Sequence, residues 1–369
     1  MATTGRAVTA AVVLVLVSMM IVQNAVLFRS CGSTSWFNES PEPGPRAALL
    51  RTDRGTQRYV LLCVDSTPRY MFWLPFTAIT WLTRQKFIPV IFIIYNDDQG
   101  LATHVEIVRR CLRSLGVDHV FLVRSDRSDQ TRMTQHARLY AAMLPLFHSS
   151  DWIVTSDADL LPVAIGNGDY YAANGSQAIW LTDLAEFDFY DDIHGHVFKQ
   201  WPLCNIGMTA AAWRRVMRYS PVASADDFLA IVPQVIVEDL MTMMGYRGKV
   251  GHVAGAEDSW FWDQQMFSLR LHAAVASGCI IWERDVAVTK RTNANRIDRI
   301  GWPSEPLTAR EIDTKFDAHL PRIPDQAPTY VDLFARTEWL LVHVLNDDEP
   351  ALSTLRTFTE QFQDATASP

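Results

Sequence analysis

The chain has 369 residues, of which 49% are hydrophobic and 20% are charged, so it carries enough apolar material for a packed core and is not mainly disordered. Its 33 basic and 41 acidic residues give a formal net charge of -8 at pH 7, which argues against a protein built to bind nucleic acid. With 17 glycines and 18 prolines it is not collagen-like or low in complexity.

Residues 7–28 form an uncharged, strongly apolar segment between Arg6 and Arg29. As a helix, such a segment is long enough to cross about 30 Å of hydrocarbon. It is longer than the apolar region of an ordinary signal peptide, and it ends without a small-residue cleavage site. We therefore predict a transmembrane signal anchor over 7–28 with a cytoplasmic tail over 1–6; a cleaved signal peptide is the alternative.

Both alternatives place the rest of the chain in the secretory lumen. Two glycosylation sequons, which begin at Asn38 and Asn174, agree with that compartment. The odd number of cysteines leaves at least one thiol without an intramolecular partner. The five cysteines are Cys31, Cys63, Cys111, Cys204 and Cys279. Because Cys31 lies just past the apolar segment, it is a candidate for a disulfide-linked dimer.

The rest of the chain alternates between strand-like and helix-like patterns. Residues 29–57 are rich in Ser, Pro, Gly and Arg and are predicted to form a stem. The predicted strands are 58–64, 89–95, 119–123 and 151–155, and the helices between them are 68–85, 103–115 and 130–144. This alternation is typical of βαβ units in a mainly parallel sheet with both faces covered. Further on, we predict strands at 178–181, 206–209 and 280–282, a helix at 259–271 and a polar surface segment at 291–328.

Two carboxylates follow the fourth predicted strand, Asp157 and Asp159. In open α/β sheets, ligands bind beyond the carboxyl ends of the strands, so both side chains are expected to face that crevice. Their hard oxygen atoms suit Mg²⁺ or Mn²⁺, which also bind diphosphates. The motif therefore predicts a metal site for a phosphorylated ligand, although the same short pattern also occurs in solvated turns.

The unit from Trp152 to Asp159, together with the βαβ order before it and the predicted type II membrane layout, resembles glycosyltransferases of the GT-A fold. The resemblance covers roughly 58–282 and is specific to the fold, not to one family. It implies an α/β, Rossmann-like nucleotide-diphospho-sugar transferase fold with a catalytic domain over 58–285 and a C-terminal extension over 286–369 that packs on it. It also implies that Asp159 binds Mn²⁺ or Mg²⁺, that Asp157 contacts the metal or the donor ribose, and that the protein resides in the Golgi or endoplasmic reticulum membrane.

Other residues match the donor side of such a site. Asp65 and Ser66 end the first strand, where the nucleobase and ribose are held in similar enzymes, but the same residues fit the start of the next helix equally well. Arg138 lies on the helix before the motif, where basic residues approach the diphosphate or the first aspartate; an exposed helix residue is the alternative. Asn205 and Gly207 resemble the strand along the donor sugar, where Asn205 would bind the sugar and Gly207 would allow close approach; an ordinary strand end is the alternative.

The segment 257–265 packs three acids and two tryptophans into nine residues, and tryptophan faces suit sugar rings. Asp263 and Gln264 resemble the Asp-Gln pair near the sugar in retaining enzymes, which implies a catalytic role for Asp263 and places Gln264 at the donor sugar. Glu257 and Asp258 instead resemble the Glu-Asp pair that supplies the base in inverting enzymes. The two matches conflict, and we favour a retaining enzyme; a capped helix with tryptophans in the core would explain the same residues.

A histidine often supplies a third metal ligand in such sites, because a neutral imidazole binds Mn²⁺. We consider four histidines and favour His252. The four are His194, His196, His252 and His319.

The chain is thus predicted to be a metal-dependent glycosyltransferase. It would move a sugar from a nucleotide-sugar donor to a hydroxyl of a luminal glycan, glycoprotein or glycolipid. A basic cluster at 290–291 and 296–299 would close over the diphosphate or form a solvated face. The alternative function is a catalytically inactive, membrane-anchored glycan-binding protein on the same fold.

Overall fold

A computed structural model describes most of the chain beyond the predicted stem. The described residues are 55–95, 102–125, 130–164, 177–184, 189–193, 195–244, 261–321 and 329–367. The predicted anchor, Cys31 and both sequon asparagines lie outside them. Among the helices of these described ranges, none is both long and apolar enough to cross a membrane.

Strands and helices alternate through the first half of the chain and helices close it. The strands are β1 (Arg58–Asp65), β2 (Ile88–Tyr95), β3 (His119–Arg124), β4 (Trp152–Ser156), β5 (Leu160–Pro162), β6 (Ile179–Leu184), β7 (Tyr190–Ile193), β8 (His196–Lys199), β9 (Ile206–Thr209), β10 (Val286–Arg291), β11 (Arg296–Ile297) and β12 (Asp317–His319). The helices are α1 (Pro68–Arg84), α2 (Ala102–Ser114), α3 (Gln130–Tyr140), α4 (Ala210–Met217), α5 (Ala225–Met244), α6 (Trp262–Ala276), α7 (Trp282–Asp285), α8 (Ala309–Ile312), α9 (Tyr330–Leu345) and α10 (Glu349–Ala367).

Seven strands form a central sheet in the order β10-β6-β9-β4-β1-β2-β3. Its strands pair in parallel except at β9, which runs antiparallel to β4 and β6. Strands β1, β2 and β4 are buried along nearly their whole length, as expected for a sheet covered on both faces. The predicted α/β class with a mainly parallel sheet is therefore confirmed.

Helices cover both faces of the sheet. Helices α1, α2, α9 and α10 share one hydrophobic cluster, and α3 to α6 share the other. Phe72 of α1 packs against Tyr330 and Phe362, with ring centroids 4.7 and 5.6 Å away. On the opposite face, Trp213 of α4 packs against Phe267 of α6 at 5.6 Å. The aromatic content of the chain is thus largely a two-sided core.

The described residues from 286 onward are built into this architecture. Strand β10 pairs in parallel with β6 at the edge of the central sheet, and the last two helices pack on α1. The division into a catalytic domain that ends at residue 285 and a C-terminal extension that packs on it stays a prediction.

The strand predicted at 280–282 is wrong. Its last residue, Trp282, begins the short helix α7, and the strand follows as β10. The cause is Asp285, whose carboxylate accepts a hydrogen bond from the backbone N–H of Ile281 at 2.8 Å and thereby closes a helical turn. An apolar run of three residues does not reveal such a turn.

The polar region 291–328 also contains regular structure in its described part. Strands β11 and β12 pair in parallel, and β12 pairs antiparallel with β5. This second sheet joins the C-terminal part of the chain to the segment that follows β4. It decides which residues meet at the candidate active site.

Candidate active site

The strand order changes direction between β1 and β4. Strands β1, β2 and β3 extend the sheet one way, and β4 is added on the other side of β1. A crevice at the carboxyl ends of the strands is expected at such a switch point. Asp65 ends β1 and Asp157 directly follows β4, so the two carboxylates flank this crevice.

The turn after β4 holds Asp157 and Asp159. The side chain of Asp157 is 35% exposed and that of Asp159 only 8%. Thr77 of α1 donates a hydrogen bond to the carbonyl oxygen of Ala158 at 2.6 Å. This hydrogen bond anchors the turn to α1. The carboxylate of Asp157 lies at the surface of the crevice, and that of Asp159 lies inside it.

His319 completes a three-residue cluster with these carboxylates. One ligand atom from each of Asp157, Asp159 and His319 lies within 4.8 Å of the others. The pairing of β12 with β5 places His319 opposite Leu160, and the backbone N–H of Leu320 donates to the carbonyl oxygen of Asp159 at 2.8 Å. Sheet pairing therefore brings the histidine to the motif.

The chemistry of this cluster fits a divalent metal ion. Nε2 of His319 is buried, makes no hydrogen bond, and lies 3.6 Å from Oδ1 of Asp159. Its Nδ1 lies 3.7 Å from a carboxylate oxygen of Asp298, a neighbour of the kind that orients metal-binding imidazoles. Two carboxylates and an imidazole together suit Mn²⁺, and the carboxylates suit Mg²⁺.

Arg138 bridges two aspartates in the same place. Its Nη1 donates to Asp157 at 2.7 Å and its Nη2 donates to Asp263 at 2.6 Å. Burial raises the pKa of Asp157, but the positive charge of Arg138, with a smaller contribution from His319, outweighs that effect and lowers the pKa overall. The two carboxylates in turn raise the pKa of Arg138 against the effect of its burial. The pair is therefore ionised, and Asp157 is held in one orientation.

Asp263 is the second residue of α6, and its side chain is only 1% exposed. Besides Arg138, its carboxylate accepts a hydrogen bond from the backbone N–H of Gln264 at 2.8 Å. The side chain of Gln264 accepts a weak hydrogen bond from Gln200 at 3.4 Å. The geometry makes Asp263 a positioning group for Arg138.

The residues at the end of β1 make mainly internal contacts. The carboxylate of Asp65 accepts hydrogen bonds from the backbone N–H and the hydroxyl of Thr67. Ser66 is buried and donates to Gln130 of α3 at 3.2 Å. Asp65 thus organises the turn into α1, whereas the Thr67 side chain at the N-cap position makes no capping hydrogen bond.

Asn205 belongs to a buried polar network. Its side-chain amide donates to Asp317 at 3.3 Å, and Asp317 is held by two hydrogen bonds from Arg296 at 2.6 and 2.9 Å. The backbone of Asn205 has a φ of 112°, in the region that disfavours most side chains. Because Asp317 lies two residues before His319, this network fixes the strand that carries the histidine.

Gly207 lies against the indole ring of Trp152. A Cβ atom at this position would lie 2.7 Å from Cζ2 of Trp152 and 2.9 Å from its Nε1. Real Cβ atoms do not come that close, so the residue must be glycine to admit the indole ring of β4. The close approach is therefore internal packing.

Several predicted residues lie outside the described part of the chain. They are His194, His252, Glu257 and Asp258. His196 lies on β8, with its ring 6.3 Å from that of His272. Of the two considered histidines that the structure describes, His319 lies at the carboxylates and His196 does not. The basic cluster contributes Arg299, whose Nη1 lies 3.2 Å from Asp159.

Comparison with protein-family models gave no match, and comparison with curated proteins gave none. Among solved structures, the chain is similar to the galactosyltransferase LgtC in complex with donor and acceptor sugar analogues. The two sequences are 13% identical, the match covers 76% of this chain and 94% of LgtC, and the TM-score is 0.39. The apo form of the glycosyltransferase GlyE from Streptococcus pneumoniae TIGR4 gives 12% identity, 79% and 63% coverage, and a TM-score of 0.36. Mouse xyloside xylosyltransferase 1 gives 10% identity, 72% and 98% coverage, and a TM-score of 0.28. At these values the likeness is remote, and the function has to rest on the site itself.

Proposed function

We propose that the protein is a metal-dependent glycosyltransferase that moves a sugar from a nucleotide-sugar donor to a hydroxyl group of a glycan, glycoprotein or glycolipid. The observation that carries the proposal is the convergence of Asp157, Asp159 and His319 at the switch point of a mainly parallel sheet. Such a crevice is where α/β proteins bind nucleotides. An oxygen-rich cation site there suits a ligand with a diphosphate.

The residues of this chain divide into metal-holding and orienting groups. Asp157, Asp159 and His319 would hold Mn²⁺ or Mg²⁺, which when bound supplies positive charge to the departing nucleoside diphosphate. Arg138 keeps Asp157 ionised and oriented. Asp298 lies 3.7 Å from the other ring nitrogen of His319, where a carboxylate would favour the orientation of a metal-binding imidazole.

We infer a retaining enzyme in preference to an inverting one. Asp263 is buried and paired with Arg138, so it is not available as a base or as an attacking group. The Asp-Gln pair at the start of α6 still matches the retaining pattern, with Gln264 half-buried beside Asp263. Analysis of the anomeric configuration of the product by NMR decides between the two outcomes.

We also propose that residues 7–28 anchor the protein in the Golgi or endoplasmic reticulum membrane with the catalytic part in the lumen. The length and apolar character of that segment support this. Resistance of the full chain to alkaline extraction from membranes, together with glycosylation of Asn38 or Asn174, is the expected result. Release of the protein by alkali would contradict the anchor.

The central test is a donor screen with the full chain in detergent. A panel of nucleotide sugars is incubated with the protein, with Mn²⁺ or with chelator, and release of nucleoside diphosphate is measured. We expect release from at least one donor with Mn²⁺, loss of that release with chelator, and loss in Asp159→Asn. Asp118→Asn, an exposed acid in the loop before β3, is the matched control and is expected to behave as wild type. Mn²⁺-independent release, or full activity of Asp159→Asn, would overturn the site; no release from any donor would favour the inactive glycan-binding alternative.

A further inference from the structure

A cavity of about 430 Å³ lies beside α6, β8 and the paired strands β6 and β10. Its volume falls within the range of pockets that bind small ligands. The residues that matter for its chemistry are Asp183, Phe198, Lys199, Trp201, His272 and Trp282. Neither the metal cluster nor the Arg138 bridge includes any of them.

Two tryptophans form an aromatic wall of the cavity. The ring centroids of Trp201 and Trp282 are 6.0 Å apart and their planes are inclined by 35°. Trp201 is buried, its backbone N–H donates to the hydroxyl of Ser268 at 2.8 Å, and Nζ of Lys199 lies 5.2 Å from the centroid of its ring. Trp282 is half-buried at the start of α7. Fixed aromatic faces of this kind bind flat apolar surfaces at low entropic cost.

An ion pair stands in the same, otherwise largely apolar, cavity. Nζ of Lys199 lies 2.7 Å from Oδ1 of Asp183, and the two side chains are 21% and 20% exposed. A hydrocarbon chain in the cavity would leave both charged groups against apolar atoms, which is costly. A sugar ring instead offers C–H groups to the tryptophans and hydroxyl groups to the ion pair. The lining therefore favours a carbohydrate over a lipid.

Helix α6 contributes residues both to the cavity and to the candidate active site. This helix begins beside Arg138 with Asp263 and lines the cavity from Ser268 to Val275, about 8 to 18 Å further along its axis. The bond between Gln200 and Gln264 joins the segment of Trp201 to the same helix start. A chain of a few sugar units spans such a distance.

We propose that this cavity is a sugar-binding subsite that holds a non-reacting ring of the acceptor glycan. That the glycan is an acceptor rests on the proposed function. Because binding of the sugar itself needs neither metal nor donor, the subsite proposal and the proposed function can fail separately. No reaction takes place at this subsite; it adds affinity and selects the acceptor.

The test is saturation-transfer NMR on the full chain without Mn²⁺ and without nucleotide sugar. The probes are maltotriose, lactose, chitotriose and xylotriose, with decanoate as the hydrocarbon probe. We expect at least one oligosaccharide to bind and Trp282→Ala to weaken its binding about tenfold. Val288→Trp, which adds bulk at a 38% exposed lining residue on the edge strand, is expected to have the same effect without a loss of core packing. Trp302→Ala, which truncates a half-buried tryptophan packed on Trp339, is the matched control and is expected to bind as wild type.

Failure of all four oligosaccharides to bind would overturn the proposal, as would unchanged binding by both Trp282→Ala and Val288→Trp. Binding of decanoate alone, lost in Trp282→Ala, would also overturn it and assign the cavity to a lipid. If an oligosaccharide binds as expected but no donor is hydrolysed, the subsite stands and the transferase proposal fails. If a donor is hydrolysed and no oligosaccharide binds, the transferase proposal stands and the subsite proposal fails.

Discussion

Nη2 of Arg138 donates a hydrogen bond to Oδ2 of Asp263 at 2.6 Å, and the two side chains are only 10% and 1% exposed. This pair joins α3 to the start of α6. The other end of the same guanidinium group holds Asp157. Loss of the Asp263 carboxylate is therefore expected to affect both the stability of the fold and the orientation of Asp157, a predicted metal ligand.

Truncation of Asp263 leaves Arg138 buried with one partner in place of two. We expect Asp263→Ala to lower the free energy of unfolding by about 3–5 kcal/mol, the usual cost of breaking a buried ion pair. Denaturant unfolding followed by circular dichroism measures it. Asp118→Ala, at an exposed position, is expected to change the same quantity little. Equal stability of the two variants would show that Arg138 is satisfied without Asp263.

Removal of the imidazole should weaken metal binding directly. We expect His319→Ala to bind Mn²⁺ at least about tenfold more weakly than wild type, because one of three ligands is lost. Isothermal titration calorimetry without a donor measures this independently of catalysis. His343→Ala is the matched control, since His343 is paired with Asp313 on another part of the surface. Unchanged Mn²⁺ affinity in His319→Ala would remove this histidine from the metal site.

The glycine in β9 is expected to be a packing residue. Gly207→Ala would force a Cβ atom against the indole of Trp152, and we expect it to lower the free energy of unfolding by about 1–3 kcal/mol. Gly55→Ala, where a Cβ atom meets no neighbour within 4 Å, should leave stability nearly unchanged. If Gly207 served the donor sugar instead, the substitution would raise the KM for the donor at full stability.

Cys111 is predicted to be unreactive in the folded protein. Burial raises the pKa of its thiol to about 12, so the nucleophilic thiolate is scarce at pH 8. We expect iodoacetamide at pH 8 to leave Cys111 unmodified in native protein and to alkylate it in urea, as read by peptide mass spectrometry.

The raised pKa of Cys111 also means that the folded state binds more protons than the unfolded state between the ordinary thiol pKa and about 12. The contribution of this group to stability therefore falls as the pH rises through that window. Rapid alkylation of the native chain would show that the thiol is accessible.

Much of the fold follows from local patterns in the chain. The alternation of apolar strands with helices places β1, β2, β3 and β4 within one or two residues of the predicted bounds. Strand β9 is predicted with its observed limits. These elements are readable because continuous apolar runs and helical spacing are local properties. The exception at Trp282 arises because one side chain, Asp285, closes a turn that no apolar pattern encodes.

Local sequence patterns predict only part of the candidate site. Asp157 and Asp159 could be singled out because two carboxylates directly follow a buried strand, and strand ends in parallel sheets face ligands. Arg138 could be suggested from its helix, but not its bridge to Asp263, and His319 could not be separated from the other histidines. Asp298 carries no signal of its own, and no local pattern reveals that the amide of Asn205 bonds to Asp317.

The sequence by itself determined strands β1 to β4, β6 and β9 of the central sheet, helices α1 to α3 and the pair of carboxylates at the end of β4, because each depends on residues close together in the chain. Only the tertiary structure decided which distant residues join that pair. The antiparallel pairing of β12 with β5 brings His319 to Asp159, and the packing of α3 beside α6 brings Arg138 to Asp263. Strand register and helix packing set these contacts. Because both depend on the whole core, no local sequence pattern predicts them.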